Sequence, residues 1–193
     1  MLRNRNSAVS STLDTKKRFV YHRVPVNLTG SVLYPLNQLK QVYPDVAEVQ
    51  LKKYQGREAL LSQPIPLLNC LWNDVLHFSP VHPAKIKAAM EEAGHIFGYS
   101  KWRFFEMDAA FFSSSNTVVW EYRERHRKRF LIDESECFLY EPRLLDRYTK
   151  VGEWTRRYYA EVKPGFRVLP YVGIAHVLYE GHLDVEEVKI IEV

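Results

Sequence analysis

The chain has 193 residues, of which 46% are apolar and 26% charged; this suits one compact domain with an ordinary core and excludes global disorder. Only 8 glycines and 13% aromatics argue against collagen-like or linker-like chains, and no apolar run nears the ~20 residues of a membrane helix. The formal net charge of +4 is uneven, since residues 1–18 and 123–129 each carry +4 and residues 180–193 carry −4, a pattern that suits either a polyanionic partner or an ordinary solvated face.

Residues 1–17 are basic and Ser/Thr-rich, have no signal-peptide apolar core, and read as a disordered arm; residues 18–193 read as a single domain. Phe19–Val24 is β-branched and aromatic, a strand closed by Pro25. Apolar spacing over Leu28–Leu39 predicts a short helix stopping near Tyr34, before Pro35. Pro44 opens a second helix reaching toward Gly56, and the two prolines of Gln63–Leu67 predict a rigid loop. Asn73–Ser79 reads as a strand, and Pro83 starts an amphipathic helix that Gly94 ends. Strands are predicted at Trp102–Met107, Thr117–Trp120, Phe138–Tyr140, Tyr158–Lys163 and Glu187–Val193. A helix is predicted from Pro142 to about Tyr148, and a helical turn over Pro170–Val177. Without regular βαβ alternation, the mixture predicts an α+β fold. Cys70 and Cys137 sit among large apolar neighbours and read as buried thiols of a reduced, cytoplasmic protein.

Several chemistries are excluded by missing signatures: there is no GxGxxG, no GxxxxGK[ST], no HExxH, no CxxC and no GxSxG. A spread set remains: Tyr21-His22-Arg23 on the first strand, Arg57 after Gly56, His77 within Asp74–Pro80, and Glu161 in Tyr159-Ala-Glu-Val-Lys. In this set the chain resembles the ADP-ribosyltransferase superfamily, and within it the DarT-like toxins that modify nucleic-acid bases. The family's "HxTxxxNLxxIL" is matched by His22-Arg-Val-Pro-Val-Asn-Leu-Thr-Gly-Ser-Val-Leu33, with Asn27 and Leu28 in place. Its Arg-containing segment is similar to Lys53-Tyr-Gln-Gly-Arg57, and its aromatic strand with a Pro-rich turn to Asp74-Val-Leu-His-Phe-Ser-Pro-Val-His-Pro83. Its "RxxAExLV" block resembles Arg157-Tyr-Tyr-Ala-Glu161-Val-Lys, followed by Val168-Leu-Pro170 and Val172–Val177. The similarity runs in order over residues 19–178; the acidic segment 183–193 has no counterpart, and Glu58 directly after Arg57 could divert that arginine.

This resemblance implies a split sheet, mixed or antiparallel, flanked by short helices, with NAD as substrate and no metal. Glu161 would stabilise the oxocarbenium-like transition state on the ribose, and Arg57 would hold the pyrophosphate or steer proton transfer. His22, Arg23 and Asn27 would bind the cofactor, Tyr34 and Tyr54 would stack on nicotinamide, and His77 would line the pocket. It also implies a toxin of toxin–antitoxin or phage-defence systems, held silent by an antitoxin protein and acting on a base of single-stranded DNA or RNA. From the residues themselves, Arg123, Arg125, Arg127, Lys128, Arg129, Arg156 and Arg157, interleaved with Trp120, Tyr122, Trp154 and Tyr158, fit a single-stranded nucleic-acid groove. Two alternatives stand beside this: a non-catalytic nucleic-acid-binding domain, and a metal-dependent nuclease built on Asp74, Glu106 and Asp108.

Overall fold

The computed structural model describes residues 16–97, 101–124, 131–163 and 165–193. The expected arm therefore lies outside the described residues up to residue 15, as do Arg125, Arg127, Lys128 and Arg129. The described chain begins with a clasp, in which Lys16 and Arg18 hold Asp146 at 2.8 and 2.7 Å.

In chain order the elements are β1 (Phe19–Arg23), β2 (Val32–Leu33), α1 (Leu36–Val42), α2 (Pro44–Leu51), β3 (Pro64–Ile65), β4 (Cys70–Leu71) and β5 (Val75–Phe78). There follow α3 (Pro83–Glu92), β6 (Arg103–Asp108), β7 (Thr117–Trp120), β8 (Cys137–Leu139), α4 (Glu153–Glu161), β9 (His176–Glu180), β10 (Leu183–Asp184) and β11 (Ile190–Glu192). Every strand pair is antiparallel, so the α+β class expected from the sequence holds. No helix of the described residues is long and apolar enough to cross a membrane.

Two sheets dominate, one ordered β1-β6-β11 and the other β5-β9-β7-β8. A backbone bridge joins them, where Tyr21 of β1 and Ser79 just past β5 exchange both hydrogen bonds at 2.9 Å, and Val20, Phe105 and Met107 of the first pack with Leu76, Phe78, Val119 and Val177 of the second. The second sheet is buried on both faces. Val119 and Val177 pack into one apolar cluster with Leu76 and Phe78, while Val118, Trp120 and Leu178 pack into another with Trp72, Leu60 and Ile65. A third cluster joins Phe104 of β6 to Ile86 and Met90 of α3 and Tyr158 and Tyr159 of α4.

Four local expectations are corrected. The helix expected over Leu28–Tyr34 is instead a turn leading into β2; the helical spacing belongs to α1, which starts after Pro35 because proline is tolerated at a helix start and not inside it. The loop Gln63–Leu67 contains β3, which pairs only with β4, and an edge position of this kind accepts proline. The strand expected at Tyr158–Lys163 is the end of α4, whose buried residues Thr155, Tyr158 and Tyr159 follow the i, i+3, i+4 pattern of a helix face. Of the helical turn or short helix expected over Pro170–Val177, residues 170–173 form a turn, while His176 and Val177 open β9, the strand between β5 and β7, whose cover on both faces hides the alternation of a half-buried strand. Two other segments shift only slightly: Pro142–Tyr148 is a 3₁₀ helix, and the helix from Pro44 passes into a 3₁₀ turn at Lys52–Tyr54.

Candidate functional site

Beyond the Tyr21–Ser79 bridge, β1 and β5 part instead of pairing on, and a cleft of about 640 Å³ opens there. Continued pairing would have brought a backbone N–H of β1 to the carbonyl of His77. The His22 ring takes that place, with Nδ1–H donating to His77 O at 2.8 Å and Nε2 left as an acceptor. The divergence of two strands and the position of His22 are thus one structural event.

Of the eight residues that the resemblance assigns to catalysis and cofactor binding, seven line this cleft: His22, Arg23, Asn27, Tyr34, Tyr54, Arg57 and His77. Asn27 accepts the Gln50 side-chain amide at 2.8 Å, which fixes the turn after β1 against α2. Tyr34 packs beside Tyr43 and His182, with ring centroids at 6.3 and 5.6 Å. Arg57 donates to Lys53 O at 2.7 Å, while the Glu58 carboxylate accepts the Gly56 N–H at 2.8 Å; among the described residues no ion pair joins Arg57 to Glu58.

Glu161 is placed elsewhere. It is the last residue of α4, exposed, and not part of the cleft lining. Its expected place on a strand beside the cofactor was an error of secondary structure, since a helix in that segment turns the side chain by about 100° per residue instead of alternating it.

The charge of the cleft is one-sided. Arg23, Lys53, Arg57 and Arg167 line it, and no Asp or Glu does among the described residues. Desolvation, followed by the fields of Arg23 and Arg167, lowers the Lys53 ammonium from its usual range. Convergent cations without a counter-charge on the protein form a site for an anion, and guanidinium forks match phosphate oxygens. Deeper in, Trp72, Trp120, Tyr122, Tyr171 and His176 form aromatic walls; Trp120 stacks on Tyr122 at 5.0 Å. Tyr171 is pushed up to about 12, chiefly by burial.

Three histidines in the cleft are held neutral by desolvation. His22 is lowered, His77 falls to about 3 with His176 as its second cause, and His176 falls to about 4. An unfolded histidine titrates near ~6.5, so between that pH and about 4 the unfolded chain binds protons that the fold refuses. Stability should therefore fall as pH drops from 7 to 5, by up to about 1.4 kcal/mol per pH unit for each of His77 and His176, with His22 acting in the same direction. Asp146, held well below the usual carboxylate range by Arg18 and then Lys16, adds its own loss only at more acid pH. Urea midpoints measured across that range check this, and a flat profile between pH 7 and 5 would contradict neutral burial.

The arginines assigned to nucleic acid are only partly described. Arg123 pairs with Glu121 at 2.6 Å and lies 3.8 Å from Glu136, Arg156 pairs with Glu92, and Arg157 pairs with Glu124 at 3.2 Å. These acids offset much of the local positive charge that the sequence suggested. The three carboxylates of the nuclease reading have separate partners: Asp74 accepts from Asn37 and from the Leu71 amide, Glu106 pairs with Lys189 at 2.7 Å, and Asp108 caps the Ala110 N–H. Among the described residues no group of three or more His, Cys, Asp or Glu is placed to hold a metal.

Sequence reasoning did not single out Arg167, Tyr171, Trp72 or His176 as cleft residues. His176 carried a signal, an ionisable ring inside the apolar run Val172–Val177; Arg167 carried none, because only the fold brings its loop to β1. Comparison of the chain with family models, curated proteins and solved structures finds no match.

Proposed function

We propose that this cleft binds NAD and that the protein is an NAD-dependent ADP-ribosyltransferase. One observation carries the reading: of the catalytic and cofactor residues that the resemblance implies, all but Glu161 line a single cleft whose charged side chains are cationic and whose walls include aromatic rings. In this reading Arg23, Lys53, Arg57 and Arg167 hold the pyrophosphate, the aromatic walls take a flat ring, and the bare Nε2 of His22 accepts from a ribose hydroxyl.

In the transfer, the N-glycosidic bond breaks with its electron pair going to the pyridinium nitrogen. Neutral nicotinamide leaves, the acceptor bonds to the ribose carbon, and the acceptor's proton is released to water. The described lining holds no carboxylate, and in this reading its residues would contribute binding and orientation of the dinucleotide. The acceptor we assign is a base of single-stranded DNA or RNA, unpaired so that it can enter the cleft, and the biological setting is a toxin restrained by an antitoxin protein. Both assignments rest on the resemblance and on the basic run 123–129.

Incubation with NAD labelled in its adenylate half, together with separate pools of single-stranded DNA, RNA and protein, tests the reading. Nicotinamide release with label on a nucleic acid is the expected result; neither release nor label would refute it. Glu161→Gln should leave nicotinamide release unchanged, whereas loss of a catalytic carboxylate would cost about 10²–10⁴-fold.

A further inference from the structure

Two acceptors in the cleft have no hydrogen-bond partner. Asn73 is 3% exposed, lines the cleft, and its Oδ1 is buried and unbonded. His77 is the third residue of β5, which directly follows the Trp72–Asp74 turn, and its Nε2 is 3.1 Å from the Trp72 carbonyl. Only an N–H can face that carbonyl, so Nε2 carries the proton and Nδ1 is a bare lone pair, itself buried and unbonded. The His77 ring centroid lies 4.2 Å from that of Trp72 and 6.1 Å from that of His176, so its acceptor sits among aromatic rings.

Buried polar atoms are nearly always paired in a folded chain, and leaving one unpaired is costly. Two unpaired acceptors on residues that line one cleft, each lacking a donor, have the complementarity of a ligand that supplies N–H groups. We propose that Asn73 and His77 form a recognition subsite for a flat ring bearing an amino or amide N–H, and that these two residues set which ring the cleft accepts. This deepens the NAD reading and rests on it. NAD offers the required chemistry twice, in the carboxamide of nicotinamide and in the amino group of adenine.

Equilibrium titration of the full chain with three dinucleotides tests the subsite. One is NAD, one replaces the carboxamide NH₂ by methyl (the 3-acetylpyridine analogue), and one replaces adenine by hypoxanthine. One of the two analogues should bind about ten-fold more weakly than NAD, the loss expected when a buried acceptor goes unpaired, and which one it is identifies the ring. In Asn73→Leu and in His77→Phe that gap should shrink, because the acceptor that penalises the analogue is gone. A purely structural role for these residues would lower affinity for all three dinucleotides alike and leave the gap intact. Equal binding of NAD and both analogues, or a gap unchanged in both variants, would overturn the subsite while leaving the NAD reading in place. No binding of NAD itself would refute the NAD reading, and the subsite would fall with it.

Discussion

Gly173→Ala should destabilise the protein by about 2–4 kcal/mol and deform the cleft wall. Gly173 has a φ of +76°, in the left-handed region that favours glycine, and a Cβ there would lie 2.4 Å from Thr155 Oγ1 and from two ring atoms of Trp154. Thr155 is 1% exposed and cannot swing aside, so the loop must move. That loop carries Tyr171, Val172, Ala175 and His176 of the cleft lining, while Thr155 and Trp154 belong to α4. The variant should therefore unfold at lower urea and bind the dinucleotide more weakly. Unchanged stability would mean that the α4–loop contact is looser than described.

Lys53→Glu should do the opposite to stability and more to binding. Arg23 and Arg167 both repel the Lys53 charge, so a carboxylate at position 53 meets two cations and the free protein should be as stable as before or slightly more so. An anionic ligand would lose one charge-assisted contact and meet repulsion in its place, and affinity should fall about ten-fold or more even with solvent screening. Lys53→Met separates the two effects by removing the charge without reversing it. A gain in stability coupled to a loss in ligand affinity is the mark of a residue held for binding at a cost to the fold. A loss in both would make Lys53 a structural residue.

Strand β1 was readable because its signals are local, whereas the turn after it was read as a helix and the cleft residues on both were singled out by the resemblance. Phe19–Arg23 is aromatic and β-branched, Pro25 stops it, and His22 falls where β1 leaves β5. Likewise Thr117–Trp120 and the helix from Pro83 declare themselves by composition and by proline at a helix start. The far wall was not readable. His176–Glu180 is covered by apolar clusters on both sides, so its consecutive Val177, Leu178 and Tyr179 show no strand alternation, a pattern that a buried helical turn would share. Tyr158–Lys163 misled for a related reason: two adjacent tyrosines suit a strand by propensity, but both are buried, as neighbours on a broad helix face can be. Glu161 itself entered the expected site through the resemblance of Arg157–Lys163 to the family's block, and it lies at the end of α4 outside the cleft lining. The charge of the site was hidden in a different way, since Arg167 joins Arg23 and Lys53 only through the return of the chain after α4.

Calorimetric titration of the full chain with NAD, beside the Lys53→Glu variant, tests the central claim most directly. The account predicts saturable one-site binding by the parent chain, competition by ADP-ribose, and a loss of affinity in a variant that still unfolds cooperatively at the parent's urea midpoint or above. No binding at millimolar NAD, or equal affinity in parent and variant, would contradict it.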